Sequence, residues 1–521
     1  MSLPPTMNGA ESLVRTLLAS EIDICFANPG TSEMHFVAAL DRVPGMRCVL
    51  GLFEGVVTGA ADGYGRMAGK PASTLLHLGP GLANGIANLH NARKARTPIL
   101  NIVGEHASDH LQHESPLRSD LPATAALISD WHRVGGRRTI ARDTAEAVTA
   151  ARSHDGQIAT LILPADTAWA PGDEPRAARP PAALQRAEAG AMARAVQALR
   201  SGKRVGLLVS GPAVEADGLR LLSRFGGLAN LRLFAQQSNR RFARGRGHLV
   251  VPRIPFNVDQ AVQMLRDIEA LVLVGSHPPA AFFGYPDKPR LLMPPGCELI
   301  PLLAPGGDAL HTLAWLADEL GCPARHRPAA EAPAPEMPAS NRLDPDTIMQ
   351  AMATLLPENA VVVDESVSSG RSLFKFTDGA APHDYLQITG GAIGSGLPMA
   401  TGAAVACPGR KVVCFEGDGS GMYTLQALWT QAREQLDVVT IILANRSYRI
   451  LHGELKGVGI DNPGEQAHRM LDLERPTLDW VSLARGHGVP AVSVDTVGGF
   501  ARAFRNACAQ EGPSLIEALL P

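Results

Sequence analysis

Short apolar runs rich in β-branched residues recur along this chain of 521 residues, and stretches with helical periodicity separate them. The clearest runs form three groups: Ile22–Ala27, Ala72–Leu76 and Ile99–Val103; then Val205–Ser210, Leu271–Val274 and Glu298–Leu303; then Val361–Asp364, Val412–Phe415 and Val438–Leu443. Strands that alternate with helices favour parallel sheets with helices on both faces. The sequence therefore predicts an α/β protein with three doubly wound parallel-sheet domains.

Two proline-rich segments divide the chain into three parts of similar size. Pro171–Pro181 is polar and contains several prolines, and Pro323–Pro338 has the composition of an extended, semi-rigid spacer. A chain of this length also favours about three domains of ~150 residues. We expect the domains to cover residues 1–170, 185–322 and 342–521.

The charge and the cysteine usage indicate a soluble protein from a reducing compartment. The net charge of −3 favours neither nucleic acid nor an anionic membrane as a partner. Seven cysteines without CxxC or zinc-site spacing indicate free thiols, and the N-terminus lacks a signal-peptide pattern. We therefore expect a cytoplasmic protein. The basic run Arg240–Arg246 is interpreted as solvated surface or as ion-pair partners, although a contact with an anionic substrate or an acyl-CoA stays open.

A Gly-Asp-Gly turn connects an apolar strand to a helix in the last third of the chain. The strand is Val412–Phe415, the turn contains Asp418, and we expect a helix over Met422–Gln435. The next strand delivers Asn445, 27 residues after Asp418. Carboxylate and amide oxygens suit Mg²⁺, and backbone N–H groups after such a turn favour phosphate. Taken alone the tripeptide could be only a tight turn, but its context predicts a magnesium and diphosphate site.

Other motifs accompany this site in separate regions of the chain. The first third contains Asn28-Pro29-Gly30-Thr31-Ser32-Glu33, the block Glu54–Arg66, His77, and Gly79-Pro80-Gly81-Leu82-Ala83-Asn84. The last third contains Asp364-Glu365-Ser366, Gly390-Gly391-Ala392-Ile393-Gly394, and Gly417–Tyr448. With these motifs the chain resembles the thiamine diphosphate-dependent decarboxylase and acetolactate synthase superfamily over essentially its whole length. The first domain is most similar to that of benzoylformate decarboxylase.

The resemblance implies a role for each matching residue. The domains would be, in order, the pyrimidine-binding, middle and diphosphate-binding domains. Glu54 would hydrogen-bond the pyrimidine ring of thiamine diphosphate and start the proton relay that activates it. The other implied roles are a carbonyl contact from Gly391, a wedge under the cofactor from Ile393, Mg²⁺ ligands from Asp418, Asn445 and Ser447, and a diphosphate lining from Gly419, Ser420 and Tyr448. The family's site lies between two subunits, so we expect a homodimer or homotetramer with shared active sites.

Two further residues concern the substrate. His77 matches a substrate-handling histidine of benzoylformate decarboxylase and could relay a proton to the product, or it is a strand-end histidine without a role. Thr31 matches a substrate-binding serine, or it caps the helix that begins near Glu33. The loop residues His110, His113 and Glu114 are interpreted as surface residues, although such a loop could face the active site. His452, near the Asn445 strand, could border the substrate channel but is also interpreted as a surface residue.

The middle domain departs from the pattern of the acetolactate synthases. Those enzymes bind FAD at a turn with a positive side chain, but here Gly275-Ser276-His277-Pro278-Pro279-Ala280 follows the strand. We therefore expect no FAD. Phe282–Tyr285 could place an aromatic ring in the substrate pocket or pack between domains.

These observations favour non-oxidative decarboxylation of a small 2-oxo acid. An acetolactate synthase-type carboligase would share every cofactor residue and stays open as the alternative. Intact Glu54, Asp418 and Asn445 argue against a non-catalytic relative. Which acid is used depends on the shape of the pocket, which the sequence does not give.

Overall fold

The computed structural model describes residues 7–324 and 332–521, and within these ranges the strands form three sheets. Strand pairing is parallel throughout them, apart from one antiparallel edge pair. The predicted class of three α/β domains is confirmed. Part of the predicted spacer Pro323–Pro338, residues 325–331, lies outside the described residues.

The first domain contains a six-stranded sheet with helices on both faces. Its strands are β1 Ile24–Ala27, β2 Arg47–Leu50, β3 Ala72–Leu76, β4 Ile99–Glu105, β5 Trp131–Val134 and β6 Ile158–Pro164; its helices are α1 Gly9–Ala19, α2 Met34–Arg42, α3 Glu54–Ala68, α4 Leu78–Ala95, α5 Leu121–Ile128, α6 Ile140–Arg152 and α7 Ala165–Trp169. The strand order is β2-β1-β3-β4-β6-β5. Every residue of β4 and β6 is buried, as expected for central parallel strands.

The middle domain has a smaller sheet. Its strands are β7 Val205–Val209, β8 Leu231–Ala235, β9 Phe242–Arg244, β10 Ala270–Val274 and β11 Glu298–Leu303; its helices are α8 Ala189–Arg200, α9 Ala216–Ser223, α10 Val258–Leu265 and α11 Ala309–Glu319. Four of these strands form the sheet in the order β11-β10-β7-β8. The fifth, β9, pairs elsewhere.

The last domain contains a seven-stranded sheet. Its own strands are β12 Ala360–Glu365, β13 His383–Gln387, β14 Val412–Gly417, β15 Val438–Ala444, β16 Ala491–Val494 and β17 Ser514–Leu519; its helices are α12 Pro345–Leu355, α13 Leu373–Thr377, α14 Gly396–Ala406, α15 Asp418–Gly421, α16 Ala427–Arg433, α17 Arg449–Gly457, α18 Glu465–Leu471, α19 Trp480–Gly486 and α20 Val497–Ala509. The order is β16-β17-β15-β14-β12-β13-β9. Strand β9 from the middle of the chain is the antiparallel edge.

The predicted helix over Met422–Gln435 is wrong in its bounds. The chain enters the short helix α15 at Asp418, passes through turns, and becomes helical again in α16 at Ala427. The Thr424 hydroxyl donates a hydrogen bond to the carbonyl of Gly394 on another loop, at 2.9 Å. This tertiary contact lies in the turn segment that separates the two helices.

Helices α3 and α14 cross closely and join the first and last domains. The crossing depends on glycine, because a Cβ on Gly63 would lie 2.0 Å from the carbonyl oxygen of Met399. A Cβ on Gly402 would likewise lie 1.8 Å from the carbonyl oxygen of Ala60. The Gly-rich pattern of the Glu54–Arg66 block therefore serves this contact. Within the described residues, no helix is long and apolar enough to span a membrane.

Candidate active site

Asp418 and Asn445 lie at the carboxyl ends of neighbouring strands β14 and β15. The Asp418 carboxylate accepts hydrogen bonds from the backbone N–H of Gly419 at 3.0 Å and of Arg446 at 2.6 Å. The Asn445 side-chain oxygen accepts one from the N–H of Ser447 at 3.0 Å. Backbone donors thus orient both oxygen-bearing side chains. Burial raises the pKa of Asp418 to about 6, although the backbone hydrogen bonds oppose this shift.

The predicted diphosphate-lining residues occupy the same strand ends. A Cβ on Gly419 would lie 2.6 Å from the ring of Tyr448 and 3.0 Å from Leu473, so only glycine fits beneath that ring. The Ser420 hydroxyl is already engaged, because it donates to the carboxylate of Glu416. The sequence did not indicate this second use of Ser420.

Two buried carboxyl groups, Glu365 and Glu416, support this part of the site. Glu365 accepts hydrogen bonds from the backbone N–H groups of Gly394, Ser395 and Gly396, which anchors that loop. Burial raises the pKa of Glu365 to about 7. Burial, and then the nearby charge of Glu365, hold the pKa of Glu416 well above its usual range. One oxygen of Glu416 is buried without a partner. The Asp364-Glu365-Ser366 motif gave a signal for Glu365, but sequence reasoning missed the pair.

Helix α4 of the first domain holds the loop Gly390–Gly394 in place. The side-chain oxygen of Asn91 accepts from the backbone N–H groups of Gly390 at 3.1 Å and Ala392 at 3.2 Å. Its side-chain nitrogen donates to the carbonyl of Ala392 at 2.7 Å. Asn88 donates to the carbonyl oxygens of Gly55 and Gly394, at 2.8 and 3.2 Å. The start of α3 and this loop are therefore bound to one another through a shared side chain.

The loop places Gly391 against an aromatic ring. Gly391 has a φ of +79°, which favours glycine, and a Cβ there would lie 3.0 Å from the Phe282 ring. Phe282 is 45% exposed and packs edge-on against Phe283. Ile393 is half-buried in the same loop. Phe282 of the middle domain thus packs between domains, against the predicted pyrimidine-binding loop of the last domain.

Glu54 is the first residue of α3 and is 7% exposed. Its carboxylate accepts a hydrogen bond from the side chain of Asn84 at 3.0 Å. Gly81 lies between Glu54 and His77, since a Cβ there would be 3.2 Å from a carboxylate oxygen of Glu54 and 3.4 Å from Cβ of His77. The structure therefore brings these two predicted catalytic residues to the same place. Neither Asp418 nor Asn445 hydrogen-bonds to Glu54.

A buried acid orients His77. Nδ1 of His77 lies 2.8 Å from the Glu33 carboxylate and 3.3 Å from the Ser32 hydroxyl. Both His77 and Glu33 pack directly against a glycine. A Cβ on Gly30 would overlap the imidazole ring of His77, and a Cβ on Gly104 would overlap the Glu33 carboxylate. Sequence reasoning placed Glu33 only at a helix start and missed its contact with His77, because the two residues are 44 positions apart.

Thr31 shares a cavity with Ser32, the hydrogen-bond neighbour of His77. With Trp169, His106 and His110 it lines this cavity of about 370 Å³, and no hydrogen bond joins Thr31 to His77. His110 and His113 are exposed, in agreement with the prediction of a surface loop. The Ser32 hydroxyl, not that of Thr31, is the one placed beside His77.

The arginines of Arg240–Arg246 are structural ion-pair partners. Arg240 contacts Asp155 and Glu215, both at 3.0 Å, and Arg241 contacts Asp384 at 2.6 Å. The remaining two pairs are Arg244 with Asp378 at 2.6 Å and Arg246 with Glu358. Apart from Arg240–Glu215, which lies within the middle domain, these pairs and strand β9 attach the middle domain to its neighbours. The ion-pair interpretation is confirmed.

Comparison with known proteins identifies the family. Residues 7–123 match the thiamine pyrophosphate enzyme N-terminal TPP binding domain, and residues 368–518 match the C-terminal TPP binding domain. A Mycobacterium tuberculosis protein named "Putative acetolactate synthase large subunit IlvX" is 48% identical over 99% of both chains. Benzoylformate decarboxylase of Pseudomonas aeruginosa is 29% identical over 94% of this chain and 95% of its own length.

The fold agrees with this assignment. The solved structure of a thiamine diphosphate-dependent 4-hydroxybenzoylformate decarboxylase from Rhodococcus jostii RHA1 superposes with a TM-score of 0.84 over 99% of both chains, at 26% identity. The chain belongs to the thiamine pyrophosphate (thiamine diphosphate) enzyme family that contains the decarboxylases and acetolactate synthases. The predicted resemblance is confirmed, and thiamine diphosphate is the cofactor that both domains indicate.

Proposed function

We propose that this enzyme uses thiamine diphosphate and Mg²⁺ to decarboxylate a small 2-oxo acid without oxidation. The observation that carries the proposal is the position of His77, which Glu33 orients and which shares Gly81 as a neighbour with Glu54. A positioned acid–base group beside the activating acid is what protonation of the product requires. The likeness to benzoylformate decarboxylases supports the same reaction.

The residues present fit the cofactor. Asp418 and Asn445 offer the oxygen ligands that Mg²⁺ prefers, and we assign the Ser447 carbonyl as the third. Gly419, Ser420 and Tyr448 would line the diphosphate, and Gly391 and Ile393 would hold the pyrimidine end. When bound, thiamine diphosphate supplies the carbon nucleophile that takes up the electrons released with CO₂. The protein orients it and excludes water.

Glu54 and His77 then move protons at defined atoms. Glu54 is buried with one amide donor and no cation beside it, so its carboxyl group can exchange a proton with the pyrimidine ring. His77 directs Nδ1–H at Glu33, which leaves Nε2 as the atom that holds or releases a proton. In this proposal Nε2 protonates the carbon that has lost CO₂. Thr31 would contact the substrate carboxylate.

A carboligase is the second candidate, because the 48%-identical relative carries an acetolactate synthase name. The cofactor residues are the same for both reactions, and the fate of the substrate carbon differs. The test is incubation with a panel of 2-oxo acids, with and without an acceptor aldehyde. We expect the free aldehyde as the main product in both cases. Ligated product as the main species without added acceptor would overturn decarboxylation in favour of the second candidate.

We also propose that two subunits share each active site. If so, a heterodimer with Glu54→Gln in one subunit and Asp418→Ala in the other has one intact site, and we expect about half of the wild-type activity. Each variant homodimer should be inactive. An inactive heterodimer would place Glu54 and Asp418 of one chain in the same site.

The purified protein should also lack flavin absorbance, since Gly275–Ala280 offers no positive side chain.

A further inference from the structure

Three side chains of metal-binding type meet beside the segment that contains Ser447. His452 of α17, His468 of α18 and Asp472, just beyond α18, each place one ligand atom within 4.8 Å of the other two. Nε2 of His452 lies 3.2 Å from Oδ1 of Asp472, and the two imidazole ring centres are 5.5 Å apart. The sequence gave no reason to connect these residues, because His452 and Asp472 are 20 positions apart.

The chemistry of this cluster suits a transition metal. Zinc binds histidine nitrogen and carboxylate oxygen at ~2.0–2.2 Å with tetrahedral geometry, which separates its ligand atoms by ~3.3 Å. The distance of 3.2 Å between His452 and Asp472 already meets this requirement. The other pairs, at most 4.8 Å apart, need to approach by only ~1.5 Å. Two imidazoles do not suit Mg²⁺, which prefers oxygen.

We propose that His452, His468 and Asp472 bind one Zn²⁺ ion, with water in the remaining position. The surroundings show what such an ion would do. Neither α17 nor α18 has a buried residue, so hydrophobic packing contributes little to holding them together. A metal bound by both helices would fasten them where a core is lacking.

The site is connected to the cofactor cleft through the backbone. Asp472 forms an antiparallel bridge with Ser447, the N–H of Tyr448 donates to Leu471 at 2.8 Å, and that of Leu473 donates to Arg446 at 2.8 Å. The segment that contains Ser447, the proposed Mg²⁺ ligand, is therefore paired with the segment that contains Asp472, one of the proposed zinc ligands. Zinc at the cluster would hold this segment in place.

The test uses the full-length protein, freed of metal with a chelator and then supplied with thiamine diphosphate and excess Mg²⁺. ZnCl₂ is titrated by calorimetry, and bound zinc is counted after gel filtration. We expect one zinc per chain. His468→Ala should weaken zinc binding by at least ~10-fold, because loss of even an outer-shell partner of a metal ligand costs ~10–100-fold in metal affinity. His468 is exposed, so this variant should fold normally, which circular dichroism checks.

Two controls separate this cluster from other zinc-binding groups. His132→Ala removes an exposed histidine far along the chain and should leave zinc binding unchanged. Asp418→Ala should also retain the zinc, which distinguishes the cluster from the proposed Mg²⁺ site and keeps this test independent of the proposed function. Equal affinity in His468→Ala and wild type, or loss of zinc only with Asp418→Ala, would overturn the proposal.

A second readout tests the fastening of the helices. ZnCl₂ should raise the thermal unfolding midpoint of the wild type and not that of His468→Ala, because a ligand that binds only the folded state stabilises it. The same midpoint with and without saturating zinc in the wild type would contradict the structural role. CoCl₂ should give the strong visible absorption of a four- or five-coordinate ion in the wild type alone.

Discussion

Acidic side chains at the contacts between domains (the seam) are paired with arginines, whereas those in the candidate active site (the cleft) are not. At the seam, Asp155, Glu215 and Asp384 each face an arginine of the 240–246 segment. In the cleft, none of Glu54, Glu365, Glu416 and Asp418 forms an ion pair with any described residue. Unpaired buried carboxyl groups are costly and concentrate at functional sites. The paired acids hold the domains together at the seam, whereas the carboxyl groups of the cleft have no arginine or lysine partner among the described residues, in keeping with the Mg²⁺ site proposed above.

The largest expected effect concerns the decarboxylation step. His77→Ala should slow aldehyde release by ~10²–10⁴-fold, the usual contribution of a positioned acid–base group, and should raise the share of ligated product when an acceptor is present. Product analysis by chromatography checks both. His132→Ala removes an exposed histidine that has no part in the proposed site, so it is the control and should behave as wild type. Unchanged rate and product ratio in His77→Ala would reduce His77 to a strand-end residue.

Loss of Asp418, a proposed Mg²⁺ ligand, should lower the affinity for thiamine diphosphate. Asp418→Ala should weaken thiamine diphosphate binding in the presence of Mg²⁺ by at least about 100-fold, because loss of a direct ligand should cost at least as much as loss of an outer-shell partner. Calorimetry measures this affinity, with the exposed Asp41→Ala as the matched control. Wild-type affinity in Asp418→Ala would refute the assignment.

At the seam the expected effect is on stability and not on turnover. Arg240→Met leaves Asp155 and Glu215 without their partner and should destabilise by about 1–3 kcal/mol. That is less than the ~3–5 kcal/mol of a fully buried pair, because the side chains are 16–26% exposed and water screens them. Arg246→Met is the control, since its pair with Glu358 is largely exposed. Thermal melts compare the two variants, and equal midpoints would argue against a structural role for Arg240.

The smallest effect is a dependence of stability on pH. Burial, and then the charge of Arg244, lower the pKa of His383 to about 4, below its unfolded value of ~6.5. The unfolded chain therefore binds a proton that the folded chain does not, so this contribution is present above pH ~6.5 and is lost as the pH falls. At pH 5.5 the loss is about 1 kcal/mol. The melting temperature of wild type should thus fall more between pH 7 and 5.5 than that of His383→Asn; an equal fall would contradict this.

Local signals in the sequence predicted the fold class and nine of the strands, whereas the assignments of cofactor residues stay predictions. The nine predicted strands are all present, and β3 and β11 have the predicted bounds. Contacts between distant residues could not be predicted: Arg241 and Asp384 are 143 positions apart, and β9 leaves its own domain to join β13. The same holds for Glu33 beside His77. A single sequence shows periodicity and motifs, but not which distant side chains satisfy one another.

The most direct test of the account of the cleft is the turnover of Glu54→Gln at saturating thiamine diphosphate and Mg²⁺. The amide keeps the shape of the side chain and cannot complete the proton exchange. We predict that cofactor affinity and melting temperature stay close to wild type while turnover falls by at least about 100-fold. Turnover within about threefold of wild type, a barrier change of only ~0.65 kcal/mol, would contradict the assignment of Glu54 as the activating acid.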